Sequence, residues 1–301
     1  MARLACIGAG LVGSAWAALF AKAGHEVRLY DNDESALRER ALPTIRETLE
    51  TLGAPSEAID RVQPVASIAE AVSGAMLIQE SVREDREIKA EIAHEIANHA
   101  PEDSIIASST SAIPGSEFLS GIVHPERALV AHPVNPPSLI RLVELCGTGV
   151  TSTPYIDRAK AFYEGIGMIP IILSREIDGF LLNRLQYTLV AEAMHLVGEG
   201  YCSPEDIDKV LTEGLAPRWA FIGPFMTAHL NAKDGFKGFV DQLGPMMRKM
   251  GEDANTNYPW TEADAVRIHE SLVKQVPIAD IPEAQAERNK RIMQLRRLRQ
   301  S

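Results

Sequence analysis

Arg3-Leu-Ala-Cys-Ile-Gly-Ala-Gly-Leu-Val-Gly13 is the stretch that decides the fold. Its first half is an apolar run that predicts a buried strand, and its second half has the spacing GxGxxG. The first glycine permits a tight turn, the second lets the backbone approach a pyrophosphate, and the third lets the next helix pack closely on the strand. Because a helix N-terminus attracts phosphate, this turn predicts a dinucleotide site formed by Gly8, Gly10, Leu11, Val12 and Gly13.

The segments after the glycines complete a βαβ unit. A helix is predicted from Leu11 to Ala23, and Glu26-Val-Arg-Leu-Tyr30 predicts a second strand that Asp31 closes. An acidic residue about 20 positions beyond the glycines is the expected ligand of the adenosine ribose. Asp31 would accept hydrogen bonds from a 2′-hydroxyl and repel a 2′-phosphate, which favours NAD over NADP. The alternative is a structural βαβ unit that binds no ligand.

The uncharged segment from Leu4 to Ala21 has a second interpretation, as a signal peptide or a membrane span. A membrane segment has no reason to keep the GxGxxG spacing, and a charged strand follows the segment directly. We therefore expect strand, turn and helix here, and no membrane association.

The bulk composition predicts a soluble globular protein. The chain has 301 residues, of which 46% are hydrophobic and 24% charged, and this length suits two domains. A formal charge of −11 argues against nucleic acid as a partner. The three cysteines are widely spaced, which indicates a reducing compartment, so we expect a cytoplasmic protein. No His/Cys cluster predicts a metal site.

Polar side chains stand at the predicted ends of two further strands. Ala75-Met-Leu-Ile-Gln79 predicts a strand that ends at Glu80, and another strand runs into Ser108-Ser-Thr-Ser111. The carboxyl ends of parallel strands line the ligand crevice of an open α/β sheet. Glu80 is therefore a candidate ligand near the nicotinamide ribose, and Ser111 is a candidate partner for a substrate oxygen. The alternatives are a solvated strand end for Glu80 and helix capping for the hydroxyls.

A histidine and a glutamate lie in or beside the next apolar runs. His132 follows Ala128-Leu-Val-Ala131 and precedes a proline-rich turn, and Glu144 lies inside a second apolar run. A buried carboxylate is costly unless something pairs with it, and an imidazole oriented by a carboxylate can act as a general base. A lone histidine is more often a core residue bonded to the backbone. The convergence of Ser111, His132 and Glu144 on neighbouring strand ends favours a catalytic site.

The alternation of strands and helices stops after Leu173. A long helix is predicted to open at Asp178-Gly179, and it carries Asn183 in an apolar turn. An unbonded buried amide costs about 1–3 kcal/mol, so Asn183 should have a hydrogen-bond partner. The sequence thus predicts an α/β fold: a Rossmann-type dinucleotide-binding domain over residues 1–182, followed by a smaller all-helical domain over residues 183–301.

Several stretches give the chain a likeness to a known family. Besides the glycine turn they are Ser108-Ser-Thr-Ser111, Ala131-His-Pro-Val-Asn-Pro136, Leu142-Val-Glu-Leu145, Gly179-Phe-Leu-Leu-Asn-Arg-Leu-Gln-Tyr187 and Glu213-Gly-Leu-Ala-Pro-Arg-Trp-Ala-Phe-Ile-Gly-Pro224. On these stretches the chain resembles the 3-hydroxyacyl-CoA dehydrogenase family over nearly its whole length.

The resemblance implies an NAD-dependent oxidation of a 3-hydroxyl group. The family's catalytic residues fall on Ser111, His132, Glu144 and Asn183. His132 is then expected to remove the hydroxyl proton while Glu144 holds the imidazole, and the serine and the asparagine hydrogen-bond the reacting oxygen. The prolines around Asn135 would form a rigid turn that presents this residue to the nicotinamide. The resemblance also implies a homodimer formed through the helical domain, which would bind the substrate as well.

The expected substrate is a small 3-hydroxy acid such as L-gulonate. Members that act on acyl-CoA have a Gly-rich, Tyr-containing stretch where this chain has Ala216-Pro-Arg-Trp-Ala-Phe221, and Arg218 suits a free carboxylate. The alternative for Arg218 is an interface or surface arginine. The alternative functions are oxidation of a 3-hydroxyacyl-CoA such as 3-hydroxybutyryl-CoA, a more distant carnitine oxidation and, in another class, a crystallin-like structural role without activity.

Overall fold

The computed structural model describes residues 1–255 and 261–299. The chain divides into two compact units, Met1–Arg184 and Leu185–Ser301. The first unit contains an eight-stranded sheet with the order β3-β2-β1-β4-β5-β6-β7-β8. The strands are β1 (Arg3–Ile7), β2 (Glu26–Tyr30), β3 (Val62–Pro64), β4 (Leu77–Glu80), β5 (Ile105–Ser108), β6 (Ala128–Pro133), β7 (Leu142–Gly147) and β8 (Ile169–Leu173).

The central strand β1 is buried on both faces. Leu4 and Cys6 belong to the core under one side of the sheet, and Ala5 and Ile7 to the core under the other. Strands covered on both faces have continuous apolar runs, which explains why the uncharged start of the chain could be mistaken for a membrane span. Among the described residues, no helix is long and apolar enough to cross a membrane.

The direction of the strands changes once in the sheet. Strands β1 to β6 pair in parallel, β7 runs antiparallel to β6, and β8 is parallel to β7. The order reverses between β1 and β4, which is where ligands bind in open α/β sheets. The helices of this unit are α1 (Leu11–Lys22), α2 (Glu34–Ala36), α3 (Leu42–Thr51), α4 (Ile68–Val72), α5 (Arg86–His99) and α6 (Thr153–Gly165).

A long helix, α7 (Phe180–Gly198), begins in the first unit and ends in the second. The predicted domain boundary after residue 182 lies within this helix. The second unit is helical in its described part, which confirms the predicted fold class. Its further helices are α8 (Pro204–Lys209), α9 (Ala216–Trp219), α10 (Pro224–Leu230), α11 (Gly235–Asp253), α12 (Glu262–Gln275) and α13 (Ile281–Leu298).

Candidate active site

The glycine turn between β1 and α1 has the shape of a phosphate cradle. Gly8 has a φ of +94°, and a Cβ there would lie 2.6 Å from the carbonyl oxygen of Ser81. A Cβ at Gly13 would collide with the carbonyl oxygen of Gly8, whereas one at Gly10 would meet no heavy atom within 4 Å. The first and third glycines thus allow close packing, and the second faces open space. Leu11 and Val12 form the first turn of α1.

Asp31 ties the end of β2 to this turn. Its Oδ2 atom accepts a hydrogen bond of 2.7 Å from the backbone N–H of Ala9, and its Oδ1 accepts one of 3.0 Å from the N–H of Asp33. Asp31, Gly10 and Ser14 line a cavity of ≈ 480 Å³ together with Arg40. Open space over Gly10 beside a partly buried carboxylate fits a dinucleotide whose pyrophosphate lies on the helix N-terminus.

Glu80, at the end of β4, is one half of a buried ion pair. The carboxylate is 2% exposed, and Lys89, which is 1% exposed, donates to both of its oxygens at 3.0 and 3.3 Å. The N–H of Val82 and the hydroxyl of Ser108 also donate to this carboxylate. These bonds connect the ends of β4 and β5 with α5. The ribose contact that we predicted for Glu80 stays a prediction.

Glu84, which the sequence did not single out, holds the loop that carries Ser111. Its Oε1 accepts hydrogen bonds from the Thr110 hydroxyl at 2.7 Å and from the N–H groups of Ser111 and Ala112 at 2.8 and 3.0 Å. Lys89 lies 3.4 Å from its other oxygen. Burial alone would raise the pKa of Glu84, but the Thr110 hydroxyl, the Lys89 charge and the two N–H groups lower it below its usual value.

His132 and Glu144 face each other across the antiparallel strands β6 and β7. The strand register pairs the two residues directly, which places their side chains on the same face of the sheet. The Nδ1 atom of His132 lies 2.8 Å from Oε2 of Glu144, and the two residues are 3% and 0% exposed. A carboxylate can only accept here, so Nδ1 carries the hydrogen and Nε2 is left as the basic nitrogen.

The other oxygen of Glu144 lies at the N-terminus of α7. Oε1 accepts hydrogen bonds of 2.9 and 3.1 Å from the N–H groups of Leu181 and Leu182. Three hydrogen bonds and the positive end of a helix therefore offset the cost of burying this carboxylate. Neither N–H group could be assigned from the sequence, because the bonds join segments far apart in the chain.

The same turn of α7 binds the loop that carries Ser111. The Nδ2 atom of Asn183 donates a hydrogen bond of 2.8 Å to the carbonyl oxygen of Ser111, so the expected partner of this amide exists. The structure thus connects all four predicted catalytic residues: Asn183 to Ser111, and the neighbouring Leu181 and Leu182 to Glu144 and its partner His132. Asn135 is exposed in the connection between β6 and β7, and its contact with the nicotinamide stays a prediction.

Phe180, the first residue of α7, is a second residue that the sequence did not single out. Its φ is +51°, and its side chain is fully buried with its ring centroid 5.2 Å from that of His132. A left-handed conformation costs a residue with a Cβ about 1–2 kcal/mol. The signal in the sequence was only a glycine followed by an apolar residue, which does not predict a left-handed phenylalanine.

Arg218 lies in the second unit, in α9. Its guanidinium is exposed and donates a hydrogen bond of 3.0 Å to the carbonyl oxygen of Gly214. The predicted contact with a substrate carboxylate stays a prediction. Within residues 1–255 and 261–299, no group of three or more His, Cys, Asp or Glu side chains could hold a metal ion.

The fold and the site together define the class of NAD-dependent dehydrogenases. Residues 3–177 match the NAD binding domain of 3-hydroxyacyl-CoA dehydrogenase, and residues 179–264 match its C-terminal domain. The chain therefore belongs to the 3-hydroxyacyl-CoA dehydrogenase family, whose members are NAD-dependent enzymes acting on a 3-hydroxy group. This finding confirms the resemblance and the expected cofactor.

Individual relatives carry different names. The chain is 38% identical to a human lambda-crystallin homolog over 291 residues, which cover 94% of this chain and 90% of the relative. It is 39% identical to an L-carnitine dehydrogenase of Oceanobacillus iheyensis over 281 residues, 92% of this chain and 88% of the relative.

Among solved structures, the chain is similar to 5-formyl-3-hydroxy-2-methylpyridine 4-carboxylic acid 5-dehydrogenase, an NAD+-dependent dismutase. The TM-score is 0.81 at 28% identity, and the match covers 100% of this chain and 99% of the other.

Proposed function

We propose that this enzyme oxidises the 3-hydroxyl of L-gulonate, or of a similar small 3-hydroxy acid, to the 3-keto acid, with His132 as the general base. The observation that carries the proposal is the buried His132–Glu144 hydrogen bond of 2.8 Å, which joins two strands of the sheet that also contains β1, the strand before the glycine turn. A base whose Nδ1–H is held by a carboxylate presents Nε2 in a fixed direction.

The proposed cofactor contacts follow from the geometry of the turn. Gly8, Gly10, Leu11, Val12 and Gly13 would hold the pyrophosphate of NAD, and Asp31 the adenosine ribose. Glu80 and Asn135 are the residues proposed near the nicotinamide and its ribose. Bound NAD supplies the acceptor for the hydride that leaves the substrate carbon.

The proton of the same hydroxyl group passes to Nε2 of His132. The imidazole then carries a positive charge, which Glu144 stabilises through the Nδ1–H hydrogen bond. The hydroxyl of Ser111 would donate a hydrogen bond to the reacting oxygen of the substrate. The side-chain amide of Asn183 has two N–H groups, and one of them donates to the carbonyl oxygen of Ser111. The second N–H group can donate a hydrogen bond to the reacting oxygen of the substrate.

The substrate class rests on Arg218 and on the relatives. The exposed guanidinium of Arg218 donates one hydrogen bond to the carbonyl oxygen of Gly214 and has further N–H donors. A guanidinium can bind a carboxylate with two parallel hydrogen bonds. The relative from Oceanobacillus iheyensis is named L-carnitine dehydrogenase, which makes L-carnitine, also a 3-hydroxy acid with a free carboxylate, the second candidate. The formal charge of −11 gives no support for a polyanionic CoA thioester.

We also propose a cytoplasmic homodimer. Phe221, Phe225 and Leu230 in the helical unit are 58%, 77% and 65% exposed, and exposed apolar clusters of this kind are typical of subunit interfaces. The three cysteines are free thiols, which supports a reducing compartment.

A comparison of substrates tests the proposal. NADH formation would be followed with L-gulonate, L-carnitine and 3-hydroxybutyryl-CoA, using the wild type and the Arg218→Gln variant. We expect the highest kcat/KM with L-gulonate, and a KM for this acid raised about 10-fold or more in the variant because a charge-assisted bond is worth about 1.5–3 kcal/mol. Arg248→Gln, an exposed arginine of the same unit, is the control. A preference for the thioester, unaffected by Arg218→Gln, would contradict the proposal.

A further inference from the structure

Phe180 has a backbone conformation that a large side chain rarely adopts. Its φ of +51° lies in the left-handed region, and the preceding Gly179 has a φ of +72°. Strained residues persist only where the surrounding structure enforces the conformation, and they cluster at active sites. A glycine would adopt the same backbone conformation without strain. The reason for a phenylalanine at this position must therefore lie in its phenyl side chain.

The backbone of this turn orients Glu144. The left-handed residues at 179 and 180 precede the N–H groups of Leu181 and Leu182, which donate to Oε1 of Glu144 at 2.9 and 3.1 Å. This orientation of Glu144 depends on the backbone of the turn and not on the phenyl ring of Phe180.

The ring of Phe180 packs against the imidazole of His132, which is the hydrogen-bond partner of Glu144. Its centroid lies 5.2 Å from that of the His132 imidazole, with 32° between the ring planes. On its other sides the ring belongs to a small core cluster with Val130, Cys146 and Leu173. The phenyl group is therefore fixed by packing, and a hydrogen bond beneath such a cover is stronger than one that water can reach.

We propose that Phe180 is a positioning residue for His132. Its ring fixes the plane of the imidazole and shields the Nδ1–H hydrogen bond to Glu144 from water, so that Nε2 keeps its direction through turnover. The inference rests on the proposed function, because it takes His132 as the proton acceptor.

Two variants separate the ring from the turn. Phe180→Leu keeps an apolar side chain but removes the aromatic face, and Phe180→Gly keeps the left-handed backbone while removing the side chain. Phe118→Leu is the matched control, since Phe118 is buried in a different core cluster. For each variant one would measure kcat, KM, the Kd for NAD, the Tm and the ¹H–¹⁵N NMR signal of the His132 Nδ1–H.

We expect Phe180→Leu to lower kcat about 10-fold, because even a small misplacement of a reacting group is costly, with KM and the Kd for NAD changed less than about twofold. Phe180→Gly should lower kcat further. In both variants the imidazole N–H signal should shift and broaden through faster exchange with water, whereas Phe118→Leu should lower only the Tm.

A kcat for Phe180→Leu no lower than that of Phe118→Leu, with an unchanged imidazole signal, would overturn the inference. Absence of turnover by the wild type on any hydroxy acid would overturn the proposed function instead. The NMR signal needs no substrate, so in that case it would still show whether Phe180 shields the His132–Glu144 bond.

Discussion

Glu80 and Glu144 are both buried carboxylates on strands of one sheet, yet their partners differ in kind. Glu80 is neutralised by the ammonium group of Lys89 and also binds Ser108. Glu144 binds a titratable imidazole and two N–H groups of a helix N-terminus. The carboxylate of Glu80 is therefore paired with a full positive charge before any reaction takes place. The carboxylate of Glu144 lies where a positive charge would form when His132 accepts a proton. The comparison distinguishes an ion pair that is complete without a ligand from a pair that, in the mechanism we propose, gains its positive charge during the reaction.

The largest effect is expected where the chemistry is removed. His132→Gln should lower turnover about 10²–10⁴-fold, the usual contribution of a positioned base, while the Kd for NAD changes little because the glycine turn and Asp31 lie on other strands. The measurements are kcat from NADH formation and the Kd from a fluorescence titration. His94→Gln, at an exposed position of α5, is the control and should change neither. Near-normal turnover by His132→Gln would show that the pair is structural.

The second effect is expected on stability. Lys89→Met leaves Glu80 buried without its counter-charge, and breaking a buried pair in this way typically costs about 3–5 kcal/mol. Urea unfolding of the variant checks this value. Lys160→Met is the matched control, because Lys160 pairs with Glu164 at the surface, where ion pairs contribute about 0–1 kcal/mol. Equal losses in the two variants would remove the structural role that we assign to the Glu80–Lys89 pair.

The smallest effect concerns Glu84, a partly exposed carboxylate that shares Lys89 with Glu80. Its pKa in the folded protein is lowered from 4.5, so its bonds stabilise the fold above that pH, and this stability is lost as the pH falls through the folded value. Urea unfolding of the wild type and Glu84→Gln at several pH values should show a difference that is largest near neutrality and closes in acid. Glu87→Gln, at the exposed start of α5, is the control. A difference that widens in acid would contradict this account.

Much of the fold was predictable because its signals are local. The strand–GxGxxG–helix sequence and Asp31 predicted the nucleotide half, and β4 was predicted to within two residues. Ser67 caps α4 and Ser203 caps α8 in the same local way, since a side-chain oxygen near a helix start accepts a hydrogen bond from a free N–H group of the first turn.

The bonds that hold the site could not be predicted. Lys89 and Glu84 are two of many charged residues in a charged segment, and only the packing of α5 on the sheet buries the lysine between two carboxylates. The left-handed conformation of Phe180 could not be predicted either, because its side chain packs against residues far away in the sequence. A π-helical turn over Leu37–Ala41 leads into α3, and Pro43 stands in the first turn of α3, where its missing N–H has no cost.

A crystal structure of the enzyme with NAD and the 3-keto acid product tests the central claim most directly. The account predicts that the carbonyl oxygen of the product lies about 2.6–3.2 Å from Nε2 of His132, with Nδ1 still bonded to Glu144 and with Ser111 and Asn183 donating to the same oxygen. A product whose 3-keto oxygen is bound by other groups, away from Nε2 of His132, would contradict it.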